Sequence, residues 1–297
     1  MHTALLIAFI AALQALPAAA PPPSSLVADA STLAAATTNE ARFEALTALL
    51  RGRGLPFAVE PFTIEKPIGK EPRTEGRNIT VTFGTGPELV VIGAHYDAAR
   101  LPDGSLSRGA VDNAASSVML VRVAEALRGE KLPVRVRVVW FDMEELGLVG
   151  SARYVQQHAA DRLAAMLNFD INGFGDTVVF GPSALAGNAA LRGTFVATCA
   201  EQNIPCVGFP QMPPGDDRNF VKAGVPTISV GIIPAVEAHQ LWLMMNAGPA
   251  SGLAPGTAPS IMRTIHTPDD VPAKLSEETM ARMQRFALAL VRRVVAR

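Results

Sequence analysis

Among the residues of types that bind metal ions or move protons, seven stand out by their spacing: His95, Asp97, Asp112, Glu144, Glu145, Asp170 and His266. Three groups of them lie just past the end of an apolar run. His95 comes after Glu88 to Ala94, the pair Glu144-Glu145 after Val134 to Phe141, and Asp170 after Ala164 to Phe169. Imidazole and carboxylate are donors for zinc and similar divalent ions. In His95-Tyr96-Asp97 a carboxylate lies close enough to the imidazole to hold its second ring N–H and so choose which nitrogen faces a metal. Adjacent acids in an extended segment can face different targets, so one of Glu144 and Glu145 can bind metal while the other reaches a water.

Each residue also has an ordinary reading. A histidine with a nearby acid is commonly a satisfied core side chain. Asp112, in Gly109-Ala110-Val111-Asp112-Asn113-Ala114, stands where an acid would cap a helix. His266, in His266-Thr267-Pro268-Asp269-Asp270, reads by itself as a loop residue. What lifts the set above these readings is shared placement. In open α/β sheets the ligand crevice lies outside the carboxyl ends of the strands, and separate segments here deliver donors to that edge.

The elements that must position them can be read from periodicity. Ser25 to Arg53 carries Phe43, Leu46, Leu49 and Leu50 at helical spacing and predicts an amphipathic helix. Phe57 to Ile64, Asn78 to Phe83 and Glu88 to Ala94 predict successive strands parted by Gly/Pro turns. From there the pattern alternates: helix over Asn113 to Arg128, strand over Val134 to Phe141, helix over Gly150 to His158, strand over Ala164 to Phe169. A helix over Ala189 to Gln202, a strand over Pro226 to Gly231 and a long final helix complete it. In that last helix Leu275, Met280, Met283, Phe286, Leu290 and Val294 form one stripe, with arginines between them. The alternation predicts an α/β three-layer sandwich, a mixed and mostly parallel sheet with helices on both faces. Residues 25 to 297 read as a single domain.

At 297 residues, with 49% apolar and 18% charged residues, the chain can bury a large core. A formal net charge of -1 and the lack of a long basic run exclude the electrostatic footprint of a nucleic-acid binder.

The ordered set HxD, GAxDN, EE, FD and HTPxD, spanning His95 to Asp270, resembles the co-catalytic zinc aminopeptidases of the bacterial leucyl aminopeptidase type, metallopeptidases of clan MH. The resemblance implies two Zn²⁺ per chain, with Asp112 bridging them. His95 and Asp170 would complete one site, Glu145 and His266 the other. Glu144 falls on the family's general acid/base and Asp97 on the partner of the histidine. A cis peptide at Asp112–Asn113 is implied as well. The expected reaction is removal of the N-terminal residue from peptides with a free amino terminus: hydroxide held by the zinc pair attacks and Glu144 shuttles the proton. A glutaminyl cyclase-like zinc transferase, or a carboxypeptidase or dipeptidase using the same site, is the alternative.

The family's stretch resembling S-D-H-x-P-F reads Gly215-Asp216-Asp217-Arg218-Asn219-Phe220 here. Asp217 replaces the histidine, which bears on substrate contacts and not on the five ligands; Asp216 is read as a supporting acid or a turn residue. Trp242 to Met245 and the Gly/Pro/Ala-rich stretch after them lead into His266, as a lid or pocket wall or as a helix in the core. Cys199 and Cys206 form either a disulfide or two buried thiols. Residues 2 to 24 contain no Asp, Glu, Lys or Arg, and Ala4 to Leu16 is apolar before Pro17 to Ala20. This has the shape of a secretory leader over residues 1 to 20, predicting export to the periplasm or medium and no stable membrane span once it is removed.

Overall fold

The computed structural model describes residues 24–182 and 187–296. The expected leader lies outside the described residues. The strands are β1 (Ala58–Thr63), β2 (Glu75–Phe83), β3 (Glu88–His95), β4 (Arg135–Phe141), β5 (Arg162–Phe169), β6 (Thr177–Gly181), β7 (Cys206–Gly208) and β8 (Thr227–Ile233). They form one sheet in the order β1-β2-β4-β3-β5-β8-β6-β7. The centre, β4-β3-β5-β8, is parallel. β1 and β2 join antiparallel at one side and β6 pairs antiparallel with β8 at the other. The sheet is thus mixed with a parallel core, as the alternation predicts.

The helices are α1 (Leu26–Ala34), α2 (Asn39–Gly52), α3 (Ala115–Leu127), α4 (Val149–Gln157), α5 (Ala189–Glu201), α6 (Asp217–Lys222), α7 (Ala235–Asn246), α8 (Ser260–Thr264) and α9 (Glu277–Val295). Both faces of the central strands are covered, and the two-residue alternation of a strand divides their side chains between the faces. Val90, Ile92, Val136, Val138 and Trp140 pack with residues of α1, α2, α3, α5 and α9. Leu89, Val91, Val139, Phe141 and Met166 pack on the other face with Tyr154 of α4 and Phe220 of α6. A strand buried on both faces reads as a continuous apolar run, which is why these were visible in the sequence.

Three expectations change. The single helix over residues 25 to 53 is two helices, broken before Thr38, whose hydroxyl caps α2 by accepting from the Ala41 amide. The helix foreseen from Asn113 starts at Ala115 instead, because Ala110–Ala114 forms an irregular wide turn in which Asp112 (φ -120°, ψ 88°) and Asn113 (φ -141°, ψ 37°) are not helical. β6, β7, α6 and α8 add to the foreseen elements, and the Trp242 to Met245 stretch lies in helix α7. The short β7 is tied down by a disulfide between Cys199 and Cys206, with Cα atoms 6.3 Å apart. Among the described residues no helix is long and apolar enough to cross a membrane.

Candidate metal centre

Parallel pairing sets the site. His95 ends β3 opposite Phe141, the end of β4, so the loop carrying Glu144 and Glu145 emerges beside His95. β5 lies on the other side of β3 and ends at Phe169, immediately before Asp170. The crevice at these carboxyl ends also receives Asp112 from the turn before α3 and His266 from the loop after α8.

Asp112 is the centre of the arrangement. Its Oδ1 lies 3.0 Å from Nε2 of His95 and its Oδ2 3.1 Å from Nε2 of His266. Nε2 of His95 is also 3.5 Å from Oδ1 of Asp170, and Nε2 of His266 is 3.0 Å from Oε2 of Glu145. Two donor groups result, His95/Asp112/Asp170 and Asp112/Glu145/His266. The capping alternative for Asp112 does not hold, since α3 begins after Ala114 with no side-chain cap. The Asp112–Asn113 peptide is cis.

The ring of His95 is oriented by Asp97, though through its backbone: Nδ1 is 3.1 Å from the Asp97 carbonyl and 3.4 Å from the carboxylate. With Nδ1–H donating there, Nε2 faces the carboxylates. The Asp97 carboxylate itself accepts the backbone amides of Glu144 and Glu145, at 3.1 and 3.2 Å. One acid therefore links the histidine to the loop of both glutamates.

The donor set fits divalent cations. Oε1 of Glu145 and Oδ1 of Asp170 are buried without a hydrogen-bond partner, an expensive state for a carboxylate unless a cation is near. Donor separations of 3.0 to 3.5 Å within each group match the ~3.3 Å expected between two ligands of one tetrahedral zinc. Protons reveal the same crowding. Burial, then the neighbouring Asp112 charge, pushes Glu145 up to about 7, and burial raises Glu144 well above the usual carboxylate range. Hydrogen bonds to Asp112 and Glu145 push His266 up to about 11.

Backbone conformation marks the same place. Of five non-glycine residues with positive φ among the described residues, Met143, Leu148, Ile171 and His266 surround the site; only Asn203 is elsewhere. Such conformations persist where surrounding contacts over-determine them, and they gather at functional sites. Gly109 (φ +49°) is required by close approach: a Cβ there would come within 2.6 Å of the Asp112 carbonyl oxygen.

Several supporting residues escaped the sequence reading. Asp270 accepts the amides of Val111 (2.7 Å) and Asp112 (3.1 Å) and is pushed up to about 6 by its burial. Asp142 is gripped by both guanidinium nitrogens of Arg73 at 3.1 Å and accepts the amide of Arg77. Asp270 belongs to the HTPxD stretch, a signal that could have exposed it; the Arg73–Asp142 contact joins residues 69 apart in sequence and has no local signature. Asp216 and Asp217 are both buried, with no hydrogen-bond partner for either carboxyl. Asp216 is therefore no surface turn residue, and Asp217 does not line the crevice.

The crevice opens into a cavity of about 800 Å³. The acids and His266 form one end; Ile171, Val179, Met212, Leu241, Met245 and Ile261 form much of the rest. Helix α7 thus supplies a wall through Leu241 and Met245. Trp242 is turned away, its indole N–H donating to the Gly208 carbonyl at 3.1 Å.

A probable leucine aminopeptidase 2 of Arthroderma benhamiae is 30% identical over 155 residues, 48% of this chain and 30% of that protein. An aminopeptidase of Pseudomonas aeruginosa is 34% identical over 139 residues, 42% of this chain and 25% of that protein. The matched stretch spans about a third or less of the length of these curated relatives. Among solved structures, Fimbriiglobus ruber glutaminyl cyclase superposes with a TM-score of 0.71 at 15% identity, covering 91% of this chain and 94% of that one. BSAP, a zinc aminopeptidase from Bacillus subtilis, gives 0.68 at 14%, covering 90% and 93%. Those likenesses are of fold. The sequence pattern of peptidase family M28 matches residues 78–291, well over half of the chain, and the protein belongs to that family.

Proposed function

We propose that the chain is a zinc-dependent aminopeptidase that hydrolyses the N-terminal peptide bond of peptides with a free amino terminus. The observation that carries this reading is the division of Asp112 between His95 and His266, each imidazole having a further carboxylate beside it. His95, Asp112 and Asp170 would hold one zinc ion and Asp112, Glu145 and His266 a second. Bound there, zinc supplies Lewis acidity toward the scissile carbonyl and toward water.

Glu144 lines the cavity next to both donor groups. Its carboxylate takes a proton from the attacking water as the oxygen adds to the carbonyl carbon, and returns it to the amine nitrogen as the C–N bond breaks. Asp97 holds Glu144 and Glu145 in register through their amides. The carboxylate-rich end attracts the α-ammonium of the substrate, and the apolar cavity accepts its first side chain. No Lys or Arg is among the described residues lining the cavity. A substrate's terminal carboxylate thus has no lysine or arginine partner along the apolar part of the cavity, which favours the amino end over the carboxyl end. The Cys199–Cys206 bond and the leader-like residues 1 to 20 together support an exported protein.

Blocking each substrate end in turn tests this. Hydrolysis of a leucyl dipeptide should survive amidation of its C-terminus and vanish on N-acetylation. Cleavage of the acetylated peptide, or cyclisation of an N-terminal glutamine peptide without hydrolysis, would replace the proposal with one of its alternatives.

A further inference from the structure

Helix α2 lies before the stretch matched by the family, residues 78–291, yet one of its side chains reaches the back of the metal centre. Arg42 is 0% exposed. Its Nε donates to the Tyr96 carbonyl at 2.6 Å, Nη1 to the Arg108 carbonyl at 2.9 Å and Nη2 to the Gly109 carbonyl at 3.2 Å. Tyr96 stands between His95 and Asp97; Arg108 and Gly109 precede Asp112. A single planar guanidinium therefore ties together the two loops that carry the first histidine and the shared carboxylate. Asn39, one turn earlier, holds the first loop again: its Oδ1 accepts the Ala98 amide at 2.9 Å and its Nδ2 donates to the Ala98 carbonyl at 3.2 Å.

Among the described residues no carboxylate oxygen hydrogen-bonds to Arg42; its partners are neutral carbonyls. Burying a guanidinium in this way is costly, and apolar packing would serve stability as well. The charge is offset at longer range by Asp97, Asp270, Asp112 and Glu145, which belong to the centre or support it. The fork geometry of Arg suits three carbonyls held in fixed directions, and a lysine ammonium could not reproduce it.

We propose that α2, through Arg42 and Asn39, is a positioning clamp of the metal centre, setting the separation of the His95–Asp97 and Gly109–Asp112 segments and hence of the donors they present. This rests on the metal-site reading above. The clamp acts on metal retention, so its effect is separable from turnover.

The test follows zinc release to a chelator from full-length protein, for wild type, Arg42→Lys, Arg42→Met and Asn39→Ala, with Leu46→Ala as a control for general weakening of α2. The zinc-dependent rise in melting temperature is recorded for each. The Arg42 variants should release zinc about 10- to 100-fold faster, with a smaller zinc-dependent rise in melting temperature. Leu46→Ala should lower the melting temperature with and without zinc and leave release unchanged. Wild-type release from both Arg42 variants would overturn the clamp. If these do not fold, Asn39→Ala decides: faster release supports it and wild-type release overturns it. A wild-type protein that holds no zinc would instead overturn the metal-site reading itself.

Discussion

Both carboxyl oxygens of Asp270 point at the backbone that presents Asp112, and one of them accepts the Asp112 amide at 3.1 Å. The shared carboxylate of the centre is thus held from behind by a second acid, itself buried. Asp270→Asn keeps the shape but turns one acceptor into a donor facing an N–H. Zinc affinity should fall about 10- to 100-fold while the circular dichroism spectrum is kept. Unchanged affinity, measured by competition with a zinc indicator, would show that Asp270 only closes a turn.

The cavity wall from α7 predicts a change of substrate range. Leu241→Trp fills the space in front of the apolar lining, so kcat/KM for N-terminal Leu, Phe or Met should drop by about 10-fold or more. The N-terminal Ala substrate should change far less. Equal losses across the panel would mean that Leu241 acts on the fold, not on selection.

Away from the site, Asp161 gives a pH dependence of stability. Burial would raise its carboxyl, but hydrogen bonds from Arg135 (3.1 Å) and with His158 (3.0 Å), and the charge of Arg137, hold it below its ordinary value. A carboxyl depressed in the folded state stabilises fully above its unfolded value, ~3.9, and loses that contribution as pH falls through the folded value. Asp161→Asn should therefore cost about 0.5 to 1 kcal/mol at pH 7, a difference that shrinks below about pH 4 in paired thermal melts. A difference independent of pH would contradict this.

How much of this could be read beforehand follows from where each contact is made. The parallel strands were visible because burial on both faces leaves uninterrupted apolar runs, as in Val90, Val91 and Ile92. The donors that follow those strands were visible from their position alone. Asp112 was ambiguous in isolation, since a cap and a bridging ligand use the same residue type; only the irregular turn over Ala110–Ala114 separates them. Arg42, Arg73 and Asp142 were hidden because their partners are distant in sequence and several are backbone carbonyls, which leave no trace in residue type. The short β7 was missed because three residues held by a disulfide need little apolar pattern of their own.

In the function proposed above, Asp112 joins two metal sites over which Glu144 moves the proton. Zinc content and leucyl-peptide turnover measured together in wild type and Glu144→Gln test it most directly. Two zinc ions per chain are expected in both proteins, with turnover in the variant reduced by about 10²- to 10⁴-fold. One zinc per chain in the saturated wild type, or wild-type turnover in Glu144→Gln, would contradict it.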